Sequence, residues 1–417
     1  MEVRPGYKKT EVGVIPDEWD VRTIDQVGFV TSGKRLPLGS SLVDHPTPHP
    51  YIRVTDMRPG TVSLSDIKFV PESVFLAIKR YRIFRDDIFI SVAGTLGIVG
   101  KIPAELDGAN LTENADRITD ISCSQDFLLY VLMSPLIQGT IDAIRTVGAQ
   151  PKLALTRIRK FAIPLPPSKA EQRAIAAALS DVDALLGGLD RLIAKKRDIK
   201  QAAMQQLLTG QTRLPGFHGE WEAKTLGKLF DLSSGRSKTA FIADEGDYWI
   251  CDMGSVSTEG KLVVSKRTNY RGDFLEEGDL VMPKDDIGGG KIIGKVGYVD
   301  TNGLYVLGDH VYRLRARDGD PRFLAYMINS HRTNSELRRK VIGSAQLGLG
   351  RKSVEEQEVT VPKPAEQAAI ATVLSGMDAE LSALGERRDK TRDLKQAMMQ
   401  ELLTGKTRLD PAGKTHA

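Results

Sequence analysis

Apolar residues recur at steps of four and three through Ile175, Leu179, Val182, Leu186, Leu189 and Ile193. That spacing is the seam of a coiled coil, narrower than the apolar stripe of an ordinary surface helix. The same phase returns at Ile370, Leu374, Met377, Leu381 and Leu384. The seam then weakens. Lys196 and Lys200, with Thr391 and Lys395 in the second stretch, fall at inward positions, and Ile199 and Leu207 (Leu394 and Leu402) are expected to take over after a phase drift. Pro166 and Pro167 precede the first stretch, and Pro362 and Pro364 the second. Proline suits a helix start, where its missing N–H costs nothing. Thr209-Gly210 and Thr404-Gly405 suit helix ends. Each helix is then about 40 residues, or ~60 Å at about 1.5 Å per residue. A small domain cannot bury a seam of that length. The expected partner of each helix is therefore the other, antiparallel across a pseudo-twofold axis.

The two stretches are copies. Residues 171–214 match residues 366–409 without a gap, with about 26 identities in 44 pairs, a strong internal-repeat signal. Outside the helices the chain divides into two globular blocks that are related more faintly. Glu18-Trp19 aligns with Glu220-Trp221, Ser32-Gly33-Lys34 with Ser234-Gly235-Arg236, and Phe127-Leu128 with Phe323-Leu324. Short β-type runs dominate, as at residues 87–92 and 279–282, and a helical stretch follows near 125–145 and 321–341. The expected fold class is α+β. Two mixed α/β domains, with irregular and mainly antiparallel sheets, are separated by a pair of long antiparallel coiled-coil helices. The expected boundaries are residues 1–165 and 213–362 for the globular domains, 166–212 and 363–410 for the helices, and 411–417 for a tail. The helices are nearly copied and the loops of the blocks are not, which suggests one shared frame carrying two different readers.

Candidate catalytic chemistry is sparse. Gly289, Gly294 and Lys295 fit G-x-x-x-x-G-K, but Val296 stands where a phosphate loop needs Ser or Thr for magnesium. A Gly-rich hairpin tip with two lysines is the better reading, and Gly94, Gly97, Gly100 and Lys101 form its counterpart in the first block. The six histidines are scattered, and no pair sits at i, i+4 with an acid between, so a helical zinc site is not indicated. His45 and His49 are expected in a solvated loop, and Asp285-Asp286 in a solvated turn. Cys123 and Cys251 lack metal or disulfide spacing, so the reducing cytoplasm is the expected compartment. No apolar run approaches the ~18 residues of a membrane span. The expectation is therefore a non-catalytic chain, with no metal, no cofactor of its own and no membrane partner.

Net charge is only +4, so a polyanion surface has to be a local concentration of charge. Basic residues do collect at expected loops. The first block has Lys34, Arg35, Arg53, Arg58 and Lys152, and the second has Arg236, Lys238, Lys284, Lys291, Arg351 and Lys352. Gln150 and Gln346, in paired loops, are candidate base readers. Lysine and arginine bind phosphates, and arginine and amide side chains read base edges. These thirteen residues are the candidate DNA contacts. An assembly scaffold that binds no DNA is the alternative reading.

The layout resembles the specificity subunit of type I restriction–modification enzymes, over essentially the whole chain. The most family-like residues are Gly148-Ala149-Gln150-Pro151, Ile163-Pro164-Leu165-Pro166-Pro167 with Glu171-Gln172, the Leu-Leu-Thr-Gly helix ends at 207–210 and 402–405, and the opening Val14-Ile15-Pro16-Asp17-Glu18-Trp19. The resemblance implies two target-recognition domains, each reading one half of a bipartite, asymmetric site in double-stranded DNA. It implies that the helices fix the gap and dock two methyltransferase subunits carrying S-adenosylmethionine, which restriction/translocase subunits can join. The second block departs from the pattern, with Leu347 where the first copy has Pro151.

Overall fold

The computed structural model describes residues 4–145, 151–287, 289–343, 347–409 and 415–416. The chain forms two compact units, residues 1–190 with 387–417 and residues 191–386. The division falls inside both long helices, so each unit holds one globular block and half of each helix.

In the first unit, β1 (Phe29–Ser32), β3 (Ile88–Ser91), β4 (Val99–Lys101) and β6 (Ala115–Thr119) form an antiparallel sheet in the order β4-β3-β6-β1. A second sheet joins β2 (Pro50–Ile52) to β5 (Ala109–Leu111) in parallel, with Tyr51 opposite Asn110. Helices α1 (Gln125–Met133) and α2 (Pro135–Arg145) follow. The Ser124 side chain caps α1 by accepting from the Phe127 amide, which satisfies one of the orphan donors at a helix start. Phe127, Leu128 and Leu132 then turn into the core against Ile88, Ile90 and Ile118. Fully burying one such side chain is worth roughly 2–3 kcal/mol.

The second unit repeats the plan. The strands β7 (Phe230–Ser234), β9 (Leu280–Pro283), β10 (Gly297–Tyr298) and β12 (Val311–Ala316) form an antiparallel sheet in the order β7-β12-β9-β10. A parallel pair again opens the second sheet, β8 (Tyr248–Cys251) with β11 (Tyr305–Leu307). Asp320 caps α4 (Pro321–Asn329), and α5 (His331–Arg339) follows. The Gly-rich segment containing Lys291 and Lys295 is the connection between the antiparallel strands β9 and β10.

The long helices are α3 (Lys169–Leu207) and α6 (Pro364–Leu402), each 39 residues. Their pairing is antiparallel within each unit. In the first, Asp183 meets Lys395 at 2.7 Å and Asp190 meets Arg388 at 3.9 Å. In the second, Lys196 meets Glu380 at 2.7 Å and Lys200 meets Asp378 at 2.6 Å. As numbers rise on one helix they fall on the other.

The seam is shared with the blocks rather than closed between helices alone. Ile175 and Leu179 sit in the first core with Trp19 and Phe127, joined there by Met399, Leu402 and Leu403 from the end of α6. Ile370 and Leu374 do the same in the second core, joined by Leu207 and Leu208. Leu189 and Ile193 are buried, whereas Val182, Leu186, Met377, Leu381 and Leu384 are half-buried. The expected phase drift occurs only in part. Leu207 and Leu402 turn inward, but Ile199 and Leu394 remain 44% and 55% exposed. Ion pairing keeps Lys200 and Lys395 on the inner face and leaves those two leucine-like positions outside.

Candidate nucleic-acid interface

In the first block the strand β1 runs into Gly33, which is pressed against the end of β5. A Cβ there would lie 2.1 Å from the Thr112 carbonyl oxygen. The backbone of Lys34 is clamped just beyond. Its amide donates to the Leu111 carbonyl at 2.8 Å, and its carbonyl accepts from the Tyr51 hydroxyl at 3.0 Å. Burial pushes the Tyr51 phenol up to about 12, so it remains a donor at neutral pH. Lys34 and Arg35 thereby emerge, exposed, where the two sheets meet. Arg35 reaches Glu113 at 3.3 Å. The Leu153 amide donates to the Val92 carbonyl, and the Val92 amide to the Asn114 carbonyl, which brings exposed Lys152 to the same rim. Asp116 lies beneath, accepting from the Ser32 hydroxyl at 2.7 Å. Burial raises its carboxyl above the ordinary range, against the pull of Ser32, Lys152 and Arg159.

The second block builds the same rim from different side chains. A Cβ on Gly235 would lie 1.9 Å from the Gly308 carbonyl oxygen. Exposed Arg236 follows where the first block has Lys34. The Leu349 amide donates to the Lys284 carbonyl at 2.7 Å, and the Lys284 amide to the His310 carbonyl at 3.0 Å. Lys284, His310 and Leu349 therefore stand where Val92, Asn114 and Leu153 stand in the first block. His310 has φ +61°, a conformation uncommon for a side-chain-bearing residue, and its Nδ1 lies 2.7 Å from Asp285. The Lys284 ammonium sits 5.8 Å from the Tyr312 ring centroid. Arg351 and Lys352 are exposed on a short helix, beside Glu355 and Glu356.

The rims thus gather Lys34, Arg35 and Lys152 in one block and Arg236, Lys284 and Arg351 in the other. Arg53, Arg58 and Lys238 lie elsewhere and are internally engaged. Arg53 grips Asp56 through two nitrogens, at 2.7 and 3.0 Å, and also bonds Asp66. Arg58 donates to the Thr55 and Met57 carbonyls. Lys238 is buried, with its ammonium 2.8 Å from Asp273 and over the Tyr270 ring. Lys291 is exposed in the β9–β10 connection. Gln150 and Gln346 fall outside the described residues.

Several side chains here were not legible from spacing. Tyr51, Asp116 and His310 are brought to the rims by pairings across the sheets. Asp286 is buried rather than in a solvated turn. His49 is not solvated either. It stacks on Phe75 with 3.5 Å between centroids and lies 3.0 Å from Glu72. Among the described residues no group of His, Cys, Asp and Glu could hold a metal, and no single helix is long and apolar enough to cross a membrane.

Two repeated pins fasten the helices to the blocks. In each copy a glutamine at the helix start bonds both ways. Gln172 accepts from the Ser124 amide and donates to the Pro166 carbonyl, and Gln367 accepts from the Asp320 amide and donates to the Pro362 carbonyl. Arg408 forks onto Glu171 and lies over the Trp19 ring. Its repeat mate Arg213 forks onto Glu366 at 2.5 Å and lies over Trp221. Bidentate pairs of this kind fix orientation as well as adding energy.

Comparison with known proteins agrees with this duplicated architecture. The Type I restriction modification DNA specificity domain matches residues 16–194 and again residues 218–390. The MjaVIII type I restriction enzyme specificity subunit of Methanocaldococcus jannaschii is 25% identical, over 95% of this chain and 94% of that one. The fold is similar to a crystal structure of the type I restriction–modification S subunit from M. genitalium, with TM-score 0.60, 16% identity, and coverage of 96% of this chain and 98% of that one. A chain from a structure on complex assembly and conformational transition of the type I system aligns with TM-score 0.58 and 16% identity, over 94% and 99% of the two chains. With its two matched segments spanning most of its length, the chain belongs to the Type I restriction modification DNA specificity domain family.

Proposed function

We propose that this chain is the sequence-reading subunit of a type I restriction–modification complex, and that each globular block reads one half of a bipartite, asymmetric site in double-stranded DNA. The observation that carries this reading is the repeated rim. One backbone arrangement presents Lys34, Arg35 and Lys152 in the first block and Arg236, Lys284 and Arg351 in the second. A shared scaffold with unlike side chains is what two readers of unlike sequences require. Lysine and arginine there supply phosphate contacts, and arginine supplies base-edge contacts. Gln150 and Gln346 are proposed as polar readers. Arg53, Arg58 and Lys238 hold their own loops and act on DNA only through that support.

One half-site discriminates modestly, since each base pair contributes about 1–3 kcal/mol. Two modules on one stiff connector combine their discrimination in a single association. Helices α3 and α6 are proposed as that connector and as the docking surface for two methyltransferase subunits, which restriction/translocase subunits join. The chain itself is proposed to be non-catalytic. S-adenosylmethionine belongs to the methyltransferase, and the complex works in the cytoplasm. An assembly scaffold without DNA binding would leave the family membership without a role. Methylome sequencing of a host expressing this chain with its methyltransferase is the test. Methylation at one split motif supports the reading, and no added motif counts against it.

A further inference from the structure

The Gly-rich segment between β9 and β10 lacks the Ser or Thr of a nucleotide-binding loop, yet its two lysines meet an arginine and a histidine. Lys291, Lys295, His331 and Arg338 line one open cleft of about 460 Å³, together with Asn334 and Ser335. His331, Ser335 and Arg338 are spaced four and three apart on α5, so they share one helix face. The segment is held in place by that helix pair. Asn329 accepts from the Val296 amide and donates to the Val296 carbonyl, both at 2.8 Å, and Asn334 donates to the Ile293 carbonyl at 3.3 Å. The Lys295 ammonium is anchored at 3.0 Å on the Asn329 carbonyl, at the end of α4.

Among the described residues, no carboxylate forms an ion pair with Lys291, Lys295 or Arg338. Glu259 is the acid whose field reaches Lys295, and it does not pair with it. Burial, and then the neighbouring Arg338 charge, lower the Lys295 ammonium below its ordinary range. A cleft of crowded, preorganised cations with no matching acid lacks an anion. The first block has no such arrangement at the corresponding hairpin, where Lys101 is paired with Asp126.

We propose that Lys291, Lys295, His331 and Arg338 form a phosphate-binding cleft belonging to the second block alone. The phosphate comes from the backbone of bound DNA or from a free phosphate ester, and both present the same chemistry. The DNA source rests on the function proposed above, whereas the free-ester source does not. Gripping a backbone phosphate here adds affinity without adding sequence information.

The full chain is treated with an acetylating reagent alone, with inorganic phosphate, and with a duplex of arbitrary sequence. Acetylation of Lys291 and Lys295 is read by mass spectrometry. Protection by duplex, with or without protection by phosphate, assigns the cleft to the DNA backbone. The salt dependence of duplex binding should then be shallower by about 1–2 units in K295Q/R338Q, each lost phosphate contact removing ~0.9. Protection by phosphate alone assigns the cleft to a free ester. No protection by either overturns the proposal. Should K295Q not fold, K291Q/R338Q replaces it, since Lys291 is exposed. Methylome mapping judges the DNA reading separately. A wild-type chain that directs no split-motif methylation but is protected by phosphate loses that reading and keeps the cleft.

Discussion

Lys395 on α6 lies 2.7 Å from Asp183 on α3, and that carboxylate also accepts the Tyr130 hydroxyl at 2.9 Å. The ammonium sits 5.6 Å from the Tyr130 ring centroid. One residue from each helix and one from the block are therefore joined in a single contact. The second unit repeats it residue for residue: Lys200 meets Asp378 at 2.6 Å, and Asp378 accepts from Tyr326 at 2.6 Å. A lysine at an inward seam position is unfavourable in an ordinary coiled coil. Here its charge is matched and the ammonium lies over an aromatic ring, so it fixes register instead of weakening the pair.

Breaking either triad should destabilise the chain. Asp183→Ala leaves Lys395 without its partner and the Tyr130 hydroxyl without its acceptor, at an expected cost of about 1–3 kcal/mol. Asp378→Ala should cost a similar amount. The two triads share no residue, so the double variant should be additive within about 0.5 kcal/mol. Urea denaturation measures this. Additive losses near zero would mean that the triads do not hold the helices.

Asp116 predicts a pH effect of definite sign. Its folded carboxyl is raised above the ordinary value by burial, and its Oδ2 is buried without a hydrogen-bond partner. The native state therefore binds the proton more tightly than the unfolded chain does. Stability is favoured at low pH and declines as pH rises from about 4 through the raised folded value. Asp116→Asn should remove this component of the decline and raise neutral-pH stability relative to wild type. It also removes a negative charge beneath Lys34 and Lys152, so duplex binding at low salt should tighten a few-fold. Thermal melts across pH and anisotropy titrations check both. A variant less stable at neutral pH, with unchanged binding, would contradict the assignment.

The helices were legible because a step of four and three repeats over several turns, and the copy at residues 366–409 repeats it again. The block architecture was legible in outline, through anchors such as Trp19 with Trp221 and Phe127 with Phe323. Individual charges were not. Lys238 looks like its exposed neighbour Arg236 in sequence, but its partner Asp273 is 35 residues away and only the fold brings them together. The same holds for Lys200, whose partner Asp378 is 178 residues away. That ion pair keeps Lys200 inward and Ile199 outside, as the four-and-three spacing places them, and overrides the expected phase drift to Ile199. Local pattern fixes periodic elements, whereas a charge's partner is set by tertiary contact.

Gly33 and Gly235 should each be intolerant of a side chain. A Cβ would fall 2.1 Å and 1.9 Å, respectively, from a backbone oxygen of the facing strand connection. Backbone cannot yield as a flexible side chain can, so Gly33→Ala and Gly235→Ala should each cost about 1–3 kcal/mol or more. The displacement would fall on Lys34 or Arg236 directly. Under Gly33→Ala the methylated motif should lose sequence preference in one half while the other half keeps its sequence, and Gly235→Ala should do the converse. Equal loss at both half-sites, in a variant that melts normally, would separate these rims from recognition.

The length of the helix pair predicts the gap. Each helix is 39 residues, and removing one heptad shortens a helix by about 10 Å while keeping its apolar face in phase. DNA rises about 3.4 Å per base pair, so matched deletions in α3 and α6 should shorten the gap by about three base pairs. Matched deletions between Ile193 and Lys196, and between Arg388 and Thr391, would avoid the pins at Glu171, Glu366, Lys200 and Lys395, but losing two residues from each helix breaks the helical phase and should lower stability instead. The informative variant therefore removes whole heptads from the half-buried middle of both helices, where Leu186 and Leu381 stand. Methylome sequencing should return both half-sites unchanged across a shorter gap. Altered half-site sequences with an unchanged gap would show that the helices do not set the distance.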